Sequence, residues 1–296
     1  MITYSELMKN KYGCKVYKLS LDAMCTCPNR DGTKGYGGCI FCSEGGSGDF
    51  AEKIKDSSYV KNALEKAKER VASKIKGDAK YVAYFQSFTN TYGDPDRLFS
   101  IYEKAALQDD IVELSIGTRP DCVGEEVIER LTKLNKIKPV TVELGLQTIH
   151  DKTAEFINRG YLLEEFSDAY KRLKDADLSV VIHLIIGLPY ESKDDMKASV
   201  LYINSLNPKP DGIKLQLMHV MKNTKLADVF ERNPEIFYDF SLEDYADFIK
   251  ELVDMISDDI VIHRLTGDAP KKLLIHPLWS ADKKKVLNTL NRKLNK

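Results

Sequence analysis

Long hydrophobic runs are absent from this sequence of 296 residues. No apolar stretch approaches the roughly 18 residues that a membrane-spanning helix needs, and the amino-terminal residues lack the charged and apolar regions of a secretory signal. These absences predict a cytoplasmic protein that has no membrane partner. In that reducing compartment the six cysteines are more often metal ligands or redox groups than structural disulfides.

Internal repeats, low-complexity tracts and long linkers are also absent, which favours a single domain over residues 1–296. No pair of carboxylates and no serine–histidine arrangement suggests hydrolysis. Apolar residues make up 43% of the chain, which is enough to fill a sizeable core. The bulk composition is therefore that of an ordinary globular protein.

Acidic residues are scarce at the carboxyl end, where residues 261–296 hold nine Lys or Arg and only two Asp. The chain as a whole has a formal net charge of −1. A basic end of this kind attracts phosphate groups, and its candidate contacts are Lys283, Lys284 and Lys285. The alternative is a solvated amphipathic helix, whose buried side would hold Val286, Leu287, Leu290 and Leu294. Both interpretations stay open.

Apolar runs of strand length alternate with helical periods along the chain. Six runs predict buried strands: KVYKLSLD, KYVAYFQS, DIVELSIGT, PVTVELGLQ, LSVVIHLIIG and DGIKLQLMHV. Strict alternation implies a parallel sheet with right-handed crossovers, and six units are too few for the usual closed barrel. We therefore expect an α/β fold, a partial (β/α)6 TIM-type barrel with its core at about 12–220. A helical, basic extension at about 221–296 follows, with Ser241 as a helix N-cap.

Four of the six cysteines lie between residues 25 and 42, after the first predicted strand and on the face where such barrels keep their chemistry. Cys39 and Cys42 form a C-x2-C pair, with Cys25 and Cys27 upstream. A zinc site would use all four thiols, and a redox dithiol would use the C-x2-C pair alone. An iron–sulfur cluster would use Cys27, Cys39 and Cys42, which leaves one iron of a four-iron cluster open to a chelating cofactor. The spacing alone leaves all three interpretations open.

Longer motifs surround the cysteines in a consistent order. CPNRDGTKGYGGCIFC is followed by SGDFA, YFQSFTNTYGD, IGTRPDC, VELGLQTIHDKTAEFINRGY, IIGLPYE, DGIKLQLMHVMKNTKLA, IHRLTGDAP and LLIHPLW. Together they resemble the radical S-adenosylmethionine (SAM) enzymes, specifically the small bacterial group related to the radical domain of the elongator-type wobble-uridine modifying protein. The resemblance covers nearly the whole chain. Most such enzymes have C-x3-C-x2-C, whereas the first gap here is eleven residues, an expansion that the elongator-type relatives share.

The resemblance implies a [4Fe-4S] cluster on Cys27, Cys39 and Cys42, with SAM on the fourth iron. One-electron cleavage of SAM would yield a 5′-deoxyadenosyl radical that abstracts hydrogen from the substrate, and a donor such as flavodoxin or ferredoxin would supply the electron. Cys25 is left over, as a thiol beside the cluster ligands, a small buried residue or an accident of lineage, and the last two are favoured. Phe41 is similar to the aromatic residue that packs near the adenine, and its alternative role is a simple cap over the loop.

The same resemblance assigns SAM contacts at the strand ends, namely Gln86, Thr89, Asn90, Glu143, Gln147, Arg159 and Gly187. The first three lie in the segment that would receive the methionine amino group, or that forms only a turn and a helix cap. Glu143 and Gln147 would bind the ribose hydroxyls. Arg159 would bind the methionine carboxylate, unless it is a surface salt-bridge residue. Gly187 would let the backbone pass close under the adenine.

Side chains after the predicted strands mark the substrate end. The candidate catalytic residues are His219, Cys122 and Tyr92, and the candidate substrate-binding residues are Arg119, Asp121, Lys214, Gln216, Arg264, Lys283, Lys284 and Lys285. A histidine can move protons near neutral pH, although a single histidine is more often structural. Cys122 has the buried core thiol as its alternative, and His183, inside an apolar strand, is predicted to be a core residue.

The resemblance and the basic end favour RNA as the substrate class. The predicted activity is modification of the C5 side chain of a wobble uridine in tRNA by a radical SAM enzyme. Two alternatives stay open. The first is a radical SAM enzyme that acts on a small metabolite, and the second is a zinc-stabilised RNA-binding module that is not an enzyme.

Overall fold

Strands and helices alternate along the chain in the computed structural model, which describes residues 2–46, 48 and 50–294. Ser47 and Asp49 of the SGDFA motif, and Asn295 and Lys296 of the basic end, lie outside the described residues. The strands are β1 Lys15–Asp22, β2 Glu52–Lys53, β3 Ala79–Phe85, β4 Ile111–Thr118, β5 Val140–Gln147, β6 Ser179–Ile186, β7 Gly212–Leu217, β8 Val220–Met221, β9 Val261–Arg264 and β10 Leu274–His276. The helices are α1 Tyr4–Tyr12, α2 Val60–Ala72, α3 Pro95–Ala106, α4 Glu125–Ile137, α5 Asp151–Phe156, α6 Leu163–Asp175, α7 Lys193–Ser205, α8 Lys225–Arg232, α9 Leu242–Met255 and α10 Lys283–Leu294. None of the described helices is long and apolar enough to cross a membrane.

Eight of the strands form one sheet in the order β2-β1-β3-β4-β5-β6-β7-β9. Every pairing in it is parallel. Within the described part of the chain β2 and β9 each have one neighbour, so the sheet stays open. The six predicted strands are β1 and β3 to β7, which lie side by side. The predicted α/β fold with a partial TIM-type barrel is therefore confirmed, with two short strands added at its edges.

The two added strands are too short for a periodic pattern to reveal them. β2 has two residues and β9 has four. β9 comes from the predicted carboxyl-terminal extension, and it joins β7 by pairing Val261 with Gly212 and Ile262 with Ile213. The extension therefore contributes a strand to the barrel sheet itself.

The two faces of the sheet differ in character because alternate residues of a strand face opposite sides. On β6, Val180, Ile182 and Leu184 belong to the main apolar core, together with residues of the surrounding helices. We call the opposite side the inner face. It carries a group of polar side chains that contact one another, namely Lys18, Tyr84, Ser115, Glu143, His183, Lys214 and Gln216. The inner face is therefore the polar interior of the half-barrel.

Helix α10 packs on α9 at the carboxyl end. Val286 and Leu290 are buried, as the amphipathic pattern predicts. The prediction was wrong for Leu287, which is 39% exposed, because it follows Val286 by one position and so points about 100° around the helix. The predicted N-cap of α9 is confirmed, since the Ser241 hydroxyl accepts a 3.1 Å hydrogen bond from the Asp244 amide.

Some basic groups of α10 are paired with acids of α9. Arg292 lies 2.6 Å from a carboxylate oxygen of Glu243, and Lys293 lies 2.5 Å from one of Asp247. Lys284 and Lys285 are exposed. The helix is therefore amphipathic, and its solvated side keeps positive charge near its first turn.

Candidate active site

The three predicted ligand cysteines lie close together in the loop after β1. The Cys42 amide donates a 3.0 Å hydrogen bond to the Cys39 carbonyl, and the Arg30 amide donates one of 2.8 Å to the Cys27 carbonyl. Burial, and after it the neighbouring Cys42 and Cys27, raise the pKa of the Cys39 thiol to about 12, while Arg119 opposes them. These mutual effects mean that the three thiols share one small region.

Cys25 lies apart from that group. It is buried in the main apolar core, and burial raises its pKa to about 12. The charges that act on it belong to Arg97 and Asp22 and not to the other cysteines. The fold therefore does not bring all four thiols together around one zinc ion.

The cysteine loop groups three thiols and leaves Cys25 out of the group. A four-iron cluster held by three thiolates keeps one iron open for a chelating cofactor. Cys27, Cys39 and Cys42 therefore fit the cluster that the sequence predicts.

We define the cysteine loop as residues 25–46. Arg30 binds backbone carbonyls near the carboxyl end of this loop. Its Nη2 donates to the carbonyls of Cys42 at 3.0 Å and Ser43 at 2.5 Å, and its guanidinium lies 5.1 Å from the centre of the Phe88 ring. Gly38 has a φ of +76°, and a Cβ there would come within 2.8 Å of the Arg30 side chain. The glycine therefore allows both the left-handed turn and the passage of the arginine.

The cysteine loop is fastened to the segment after α5. The Asn158 side chain donates a 2.8 Å hydrogen bond to the Gly38 carbonyl, and the Asn29 side chain donates one of 2.5 Å to the Asn158 carbonyl. The Ile40 amide bonds to the Ile157 carbonyl at 3.0 Å. These bonds position the thiols relative to the connection that follows β5 and α5.

Arg159 is fully buried and is held by backbone carbonyls. Its Nε donates to Tyr161 at 2.9 Å, and its Nη1 donates to Leu146 at 2.8 Å and to Thr148 at 2.6 Å. Its Nη2 lies 3.5 Å from the Asp151 carboxylate, so a methionine carboxylate would have to compete with Asp151 for that nitrogen. In this conformation Arg159 fixes the end of β5, and its predicted role in binding SAM stays a prediction.

Arg119 and Asp121 form a bidentate pair beside the cysteine loop. The two Arg119–Asp121 hydrogen bonds are both 2.9 Å long, and Lys34 of the cysteine loop lies 3.0 Å from the same carboxylate. Although burial opposes ionisation, the hydrogen bonds from Arg119 and Lys34 hold the pKa of Asp121 below its usual value. Arg119 also donates to the Arg159 carbonyl at 2.8 Å. These contacts fasten the loop to the end of β4, and the substrate role of both residues stays a prediction.

Asn90 joins the ends of β3 and β4 and presents an acceptor. Its Nδ2 donates to the carbonyls of Phe85, Ser87 and Gly117 at 3.0 to 3.2 Å. Its Oδ1 is buried and has no hydrogen-bond partner among the described residues. A buried acceptor without a donor is costly unless a ligand supplies one. The site therefore fits the amino group of SAM, which the sequence predicts at this strand end.

The neighbours of Asn90 have mixed environments. Thr89 is buried, and its amide donates to the Thr26 carbonyl at 3.3 Å. Gln86 is half-buried at the end of β3. The Tyr92 hydroxyl lies 2.7 Å from the Thr33 hydroxyl of the cysteine loop. This contact gives Tyr92 a role in holding the loop, and its catalytic role stays a prediction.

Glu143 lies at the centre of the inner face. One carboxylate oxygen is held by Lys18 at 2.8 Å and Ser115 at 2.6 Å, and the other by His183 at 2.7 Å and by Lys214. Against the opposing effect of burial, the lysines and His183 keep the pKa of Glu143 well below its usual value. With both oxygens engaged, Glu143 orders the interior, and its predicted ribose contact stays a prediction.

Lys214 and His183 of this network have further contacts. Lys214 also contacts the Tyr84 hydroxyl at 3.0 Å, and Gln216 lies 3.2 Å from Nδ1 of His183. His183 was predicted to be a core residue, whereas its side chain is 17% exposed, because it faces the half-barrel interior and not the helices. Gln147 is half-buried at an irregular position of β5 with a φ of +67°.

His219, Arg264 and Lys283 meet around Asp268 beyond the ends of β7 and β9. Arg264 lies 3.3 Å and Lys283 2.6 Å from the Asp268 carboxylate. His219 is buried with no hydrogen-bond partner for Nε2 among the described residues, and burial lowers its pKa to about 4. It is therefore a neutral imidazole at physiological pH, and a catalytic role for it stays a prediction.

The surroundings of Cys122 disfavour its thiolate form. Burial, and then the charge of Asp121, raise its pKa to about 12. Its Sγ lies 3.8 Å from the Asp121 carboxylate. A nucleophilic cysteine needs a lowered pKa, so the predicted catalytic role has no support from these contacts.

Phe41 and Gly187 lie at opposite edges of a small apolar cluster between the cysteine loop and β7. Phe41 packs against the group that contains Ile185 and Met218. Gly187 has a φ of +88° and lines a narrow cleft with Met218 and Phe240. Both residues therefore adjoin Met218, and their predicted contacts with the adenine stay predictions.

Two surface clefts contain predicted residues. One of about 310 Å³ lies beside Cys39 and Cys42 and is also lined by Arg30, Asn223 and Lys225. The other, of about 380 Å³, is lined by Lys284, Lys285, Asn288 and Arg292 among others. The second cleft gathers the basic groups of the carboxyl end on one helix face.

The sequence did not assign roles to Asn29, Arg30 and Asn158. All three lie inside motifs quoted for the resemblance, CPNRDG and NRGY. An asparagine or arginine next to the glycines of a ligand loop is a usable signal, because such loops need side chains to satisfy their backbone carbonyls.

Two family models match the chain. The model described as Radical SAM superfamily matches residues 27–203, and the model described as Radical_SAM C-terminal domain matches residues 210–296. The Bacillus subtilis protein YtqA is 38% identical over 287 residues, which are 97% of this chain and 87% of the relative. The Methanocaldococcus jannaschii tRNA uridine(34) acetyltransferase is 30% identical over 165 residues, which are 55% of this chain and 30% of the relative.

A solved structure supports the fold. Elp3 of Methanocaldococcus infernus matches with a TM-score of 0.64 and 19% sequence identity, over 91% of this chain and 63% of that one. At this identity the match establishes the fold alone. Members of the matched superfamily use a [4Fe-4S] cluster and SAM, which are the cofactors that the sequence predicts and that the three thiols and Asn90 fit. The resemblance inferred from the motifs is confirmed, and the chain belongs to the radical SAM superfamily.

Proposed function

We propose that this protein is a tRNA-modifying radical SAM enzyme that acts on the C5 side chain of a wobble uridine. The observation that carries the enzyme assignment is the grouping of Cys27, Cys39 and Cys42 in one loop, with Cys25 turned into the core. The similarity to a tRNA uridine(34) acetyltransferase over 165 residues supports the substrate class. When bound, the [4Fe-4S] cluster and SAM supply a 5′-deoxyadenosyl radical for hydrogen abstraction.

The chain's own residues orient SAM. Asn90 Oδ1 accepts a hydrogen bond from the methionine amino group, which satisfies its buried acceptor. Gln147 contacts the ribose, and Phe41 and Gly187 border the adenine. Arg159 acts indirectly, because it fixes the carbonyls at the end of β5.

Positive groups at the carboxyl end suit the phosphates of RNA. Arg264 and Lys283 lie near the ends of β7 and β9, although each is partly neutralised by Asp268. Lys284 and Lys285 point from the first turn of α10 and make no ion pair within the described residues. These two lysines are the principal phosphate contacts in this proposal.

A one-electron donor of the flavodoxin or ferredoxin class docks at the cleft beside Cys39 and Cys42. Such donors carry acidic surfaces, and the cleft presents Arg30 and the exposed Lys225, against one acid, Glu44, next to two of the ligand thiols. Electrostatic attraction there would speed the encounter.

A small metabolite is the second candidate substrate. The ion pairs of Arg292 with Glu243 and of Lys293 with Asp247 give the basic helix a structural role that needs no RNA. Nucleoside mass spectrometry of tRNA from cells lacking the protein separates the two. We expect one modified uridine to disappear or a precursor to accumulate, with rescue by the wild type and not by Cys27→Ala. An unchanged nucleoside profile would exclude the tRNA substrate.

A further inference from the structure

His183 and Gln216 lie together on the inner face of the sheet. On β7, Ile213, Leu215 and Leu217 belong to the apolar core that the helices cover, so Gln216 faces the other way. The same alternation on β6 places His183 on the inner face. Both side chains are half-buried. They therefore border the interior of the half-barrel without being sealed from it.

The pair lies one layer beneath the cysteine loop. Ile185 and Met218 follow His183 and Gln216 by two positions on the same face, and Phe41 of the cysteine loop packs against their cluster. Two strand residues span about 7 Å. Gly145 pairs with His183 across the sheet, and the Gln147 amide and the Tyr161 hydroxyl lie 2.7 and 3.2 Å from where its Cβ would be. A flat ligand in the interior would thus meet Gln216 close below the radical-generating site.

The hydrogen-bond network fixes the orientation of the Gln216 amide. Glu143 is held as a carboxylate by Lys18 and Lys214, so His183 Nε2, at 2.7 Å, must donate to it. A neutral His183 then has an unprotonated Nδ1, which accepts from Gln216 Nε2 at 3.2 Å. This leaves the second Nε2 hydrogen and Oε1 of Gln216 for a ligand.

We propose that the Gln216 amide recognises the imide edge of a uracil base, with Oε1 accepting from N3–H and Nε2 donating to the C4 carbonyl. This inference rests on the proposed function and names the residue that reads the target base. At the same positions a cytosine presents an unprotonated N3, which would meet Oε1, and an amino group, which would meet the Nε2 donor. Neither contact can form a hydrogen bond. The imide edge is unchanged by substituents at C5, so the contact suits a C5-modified substrate and its product alike. His183 is a positioning residue, because it acts through Gln216.

The test compares anticodon stem–loops that carry uridine or cytosine at the wobble position, bound to the anaerobically reconstituted holoenzyme. The wild type is expected to prefer uridine by on the order of tenfold to a hundredfold in Kd. Gln216→Leu and the near-isosteric Gln216→Glu both lose the preference, while their Kd for the cytosine stem–loop stays at the wild-type value. His183→Phe also loses the preference for uridine. Gln108→Leu, which removes an amide bonded to a helix carbonyl, keeps it.

Each result bears on the proposal separately from the proposed function. Substrate-independent formation of 5′-deoxyadenosine at the wild-type rate confirms that the Gln216 variants are folded and loaded. A uridine preference that survives in both Gln216 variants overturns the proposal, as does a wild type that binds both stem–loops equally. The proposed function fails by a different result, which is an unchanged tRNA nucleoside profile in cells lacking the protein.

Discussion

The side-chain amide of Asn158 donates a 2.8 Å hydrogen bond to the carbonyl of Gly38, which joins residues 120 positions apart in the chain. Asn158 has a φ of +53°, a left-handed conformation that asparagine tolerates better than most residues. Its own carbonyl accepts a hydrogen bond from Asn29. The connection after α5 therefore sets the position of the cysteine loop.

Replacing Asn158 by Ala is expected to loosen this loop. The change removes one hydrogen bond and leaves a strained backbone position, a combined cost of about 1–3 kcal/mol. Iron content after anaerobic purification should fall, and 5′-deoxyadenosine formation should fall with it. Asn62→Ala on the exposed side of α2 is the matched control and should leave both unchanged. Wild-type iron content in Asn158→Ala would contradict the fastening role.

Glu191 gives the protein a defined pH dependence. It is 5% exposed and accepts a 2.5 Å hydrogen bond from Thr148, and burial raises its pKa to about 7. The native protein then keeps a proton that the unfolded chain releases, so the free energy of unfolding falls as pH rises from 4.5 towards 7. The loss is complete above pH 7 and amounts to about 3 kcal/mol.

Glu191→Gln removes this titration. The difference in unfolding free energy between variant and wild type should be near zero at pH 4.5 and should grow to about 3 kcal/mol in favour of the variant by pH 8. Urea unfolding at several pH values measures it. Glu155→Gln on the exposed side of α5 serves as control. A difference that does not change with pH would show that Glu191 is ionised in the native protein.

The exposed lysines in the first turn of α10 predict how the affinity for tRNA depends on salt. Replacing Lys284 and Lys285 together by Gln should weaken tRNA binding and reduce the slope of log K against log salt by about two, since each phosphate contact contributes about 0.9. The double change of Lys61 and Lys66 to Gln on exposed positions of α2 alters charge equally and should leave the slope intact. Equal slopes for the two double variants would show that Lys284 and Lys285 of α10 do not contact the RNA.

Lys225 lines the thiol cleft, and we expect it to affect electron transfer from a protein donor and not the cleavage of SAM itself. Lys225→Glu should slow SAM cleavage several-fold when reduced flavodoxin is the electron source, because like charges then meet at the docking site. Cleavage driven by dithionite should be unchanged, since a small reductant needs no docking surface. Lys61→Glu is the control for charge alone. Equal slowing with both reductants would point to damage at the cluster loop.

The sequence predicts the parts of the fold that repeat over many residues. The runs that became β1 and β3 to β7 carry enough β-branched residues to be recognised, whereas β9 has only four residues and depends on its pairing with β7. Helix α10 was recognised, but Leu287 was placed on its buried side because periodicity alone does not fix the edge of an apolar stripe.

The site is predictable where a local pattern decides it. The spacing and the resemblance select Cys27, Cys39 and Cys42, and the separate environment of Cys25 agrees with that choice. The partners of Glu143 and Arg159 were not predictable. Lys18 and Lys214 reach Glu143 from 125 and 71 positions away, so its surroundings depend on how the strands are arranged in the half-barrel.

The most direct test of this account measures iron, sulfide and 5′-deoxyadenosine in four single cysteine variants after anaerobic reconstitution. Cys27→Ala, Cys39→Ala and Cys42→Ala should each lose the cluster and form no 5′-deoxyadenosine. Cys25→Ala should keep about four iron and four sulfide per chain and the wild-type rate. Zinc without sulfide in the wild type, or full activity without Cys27, would contradict the account.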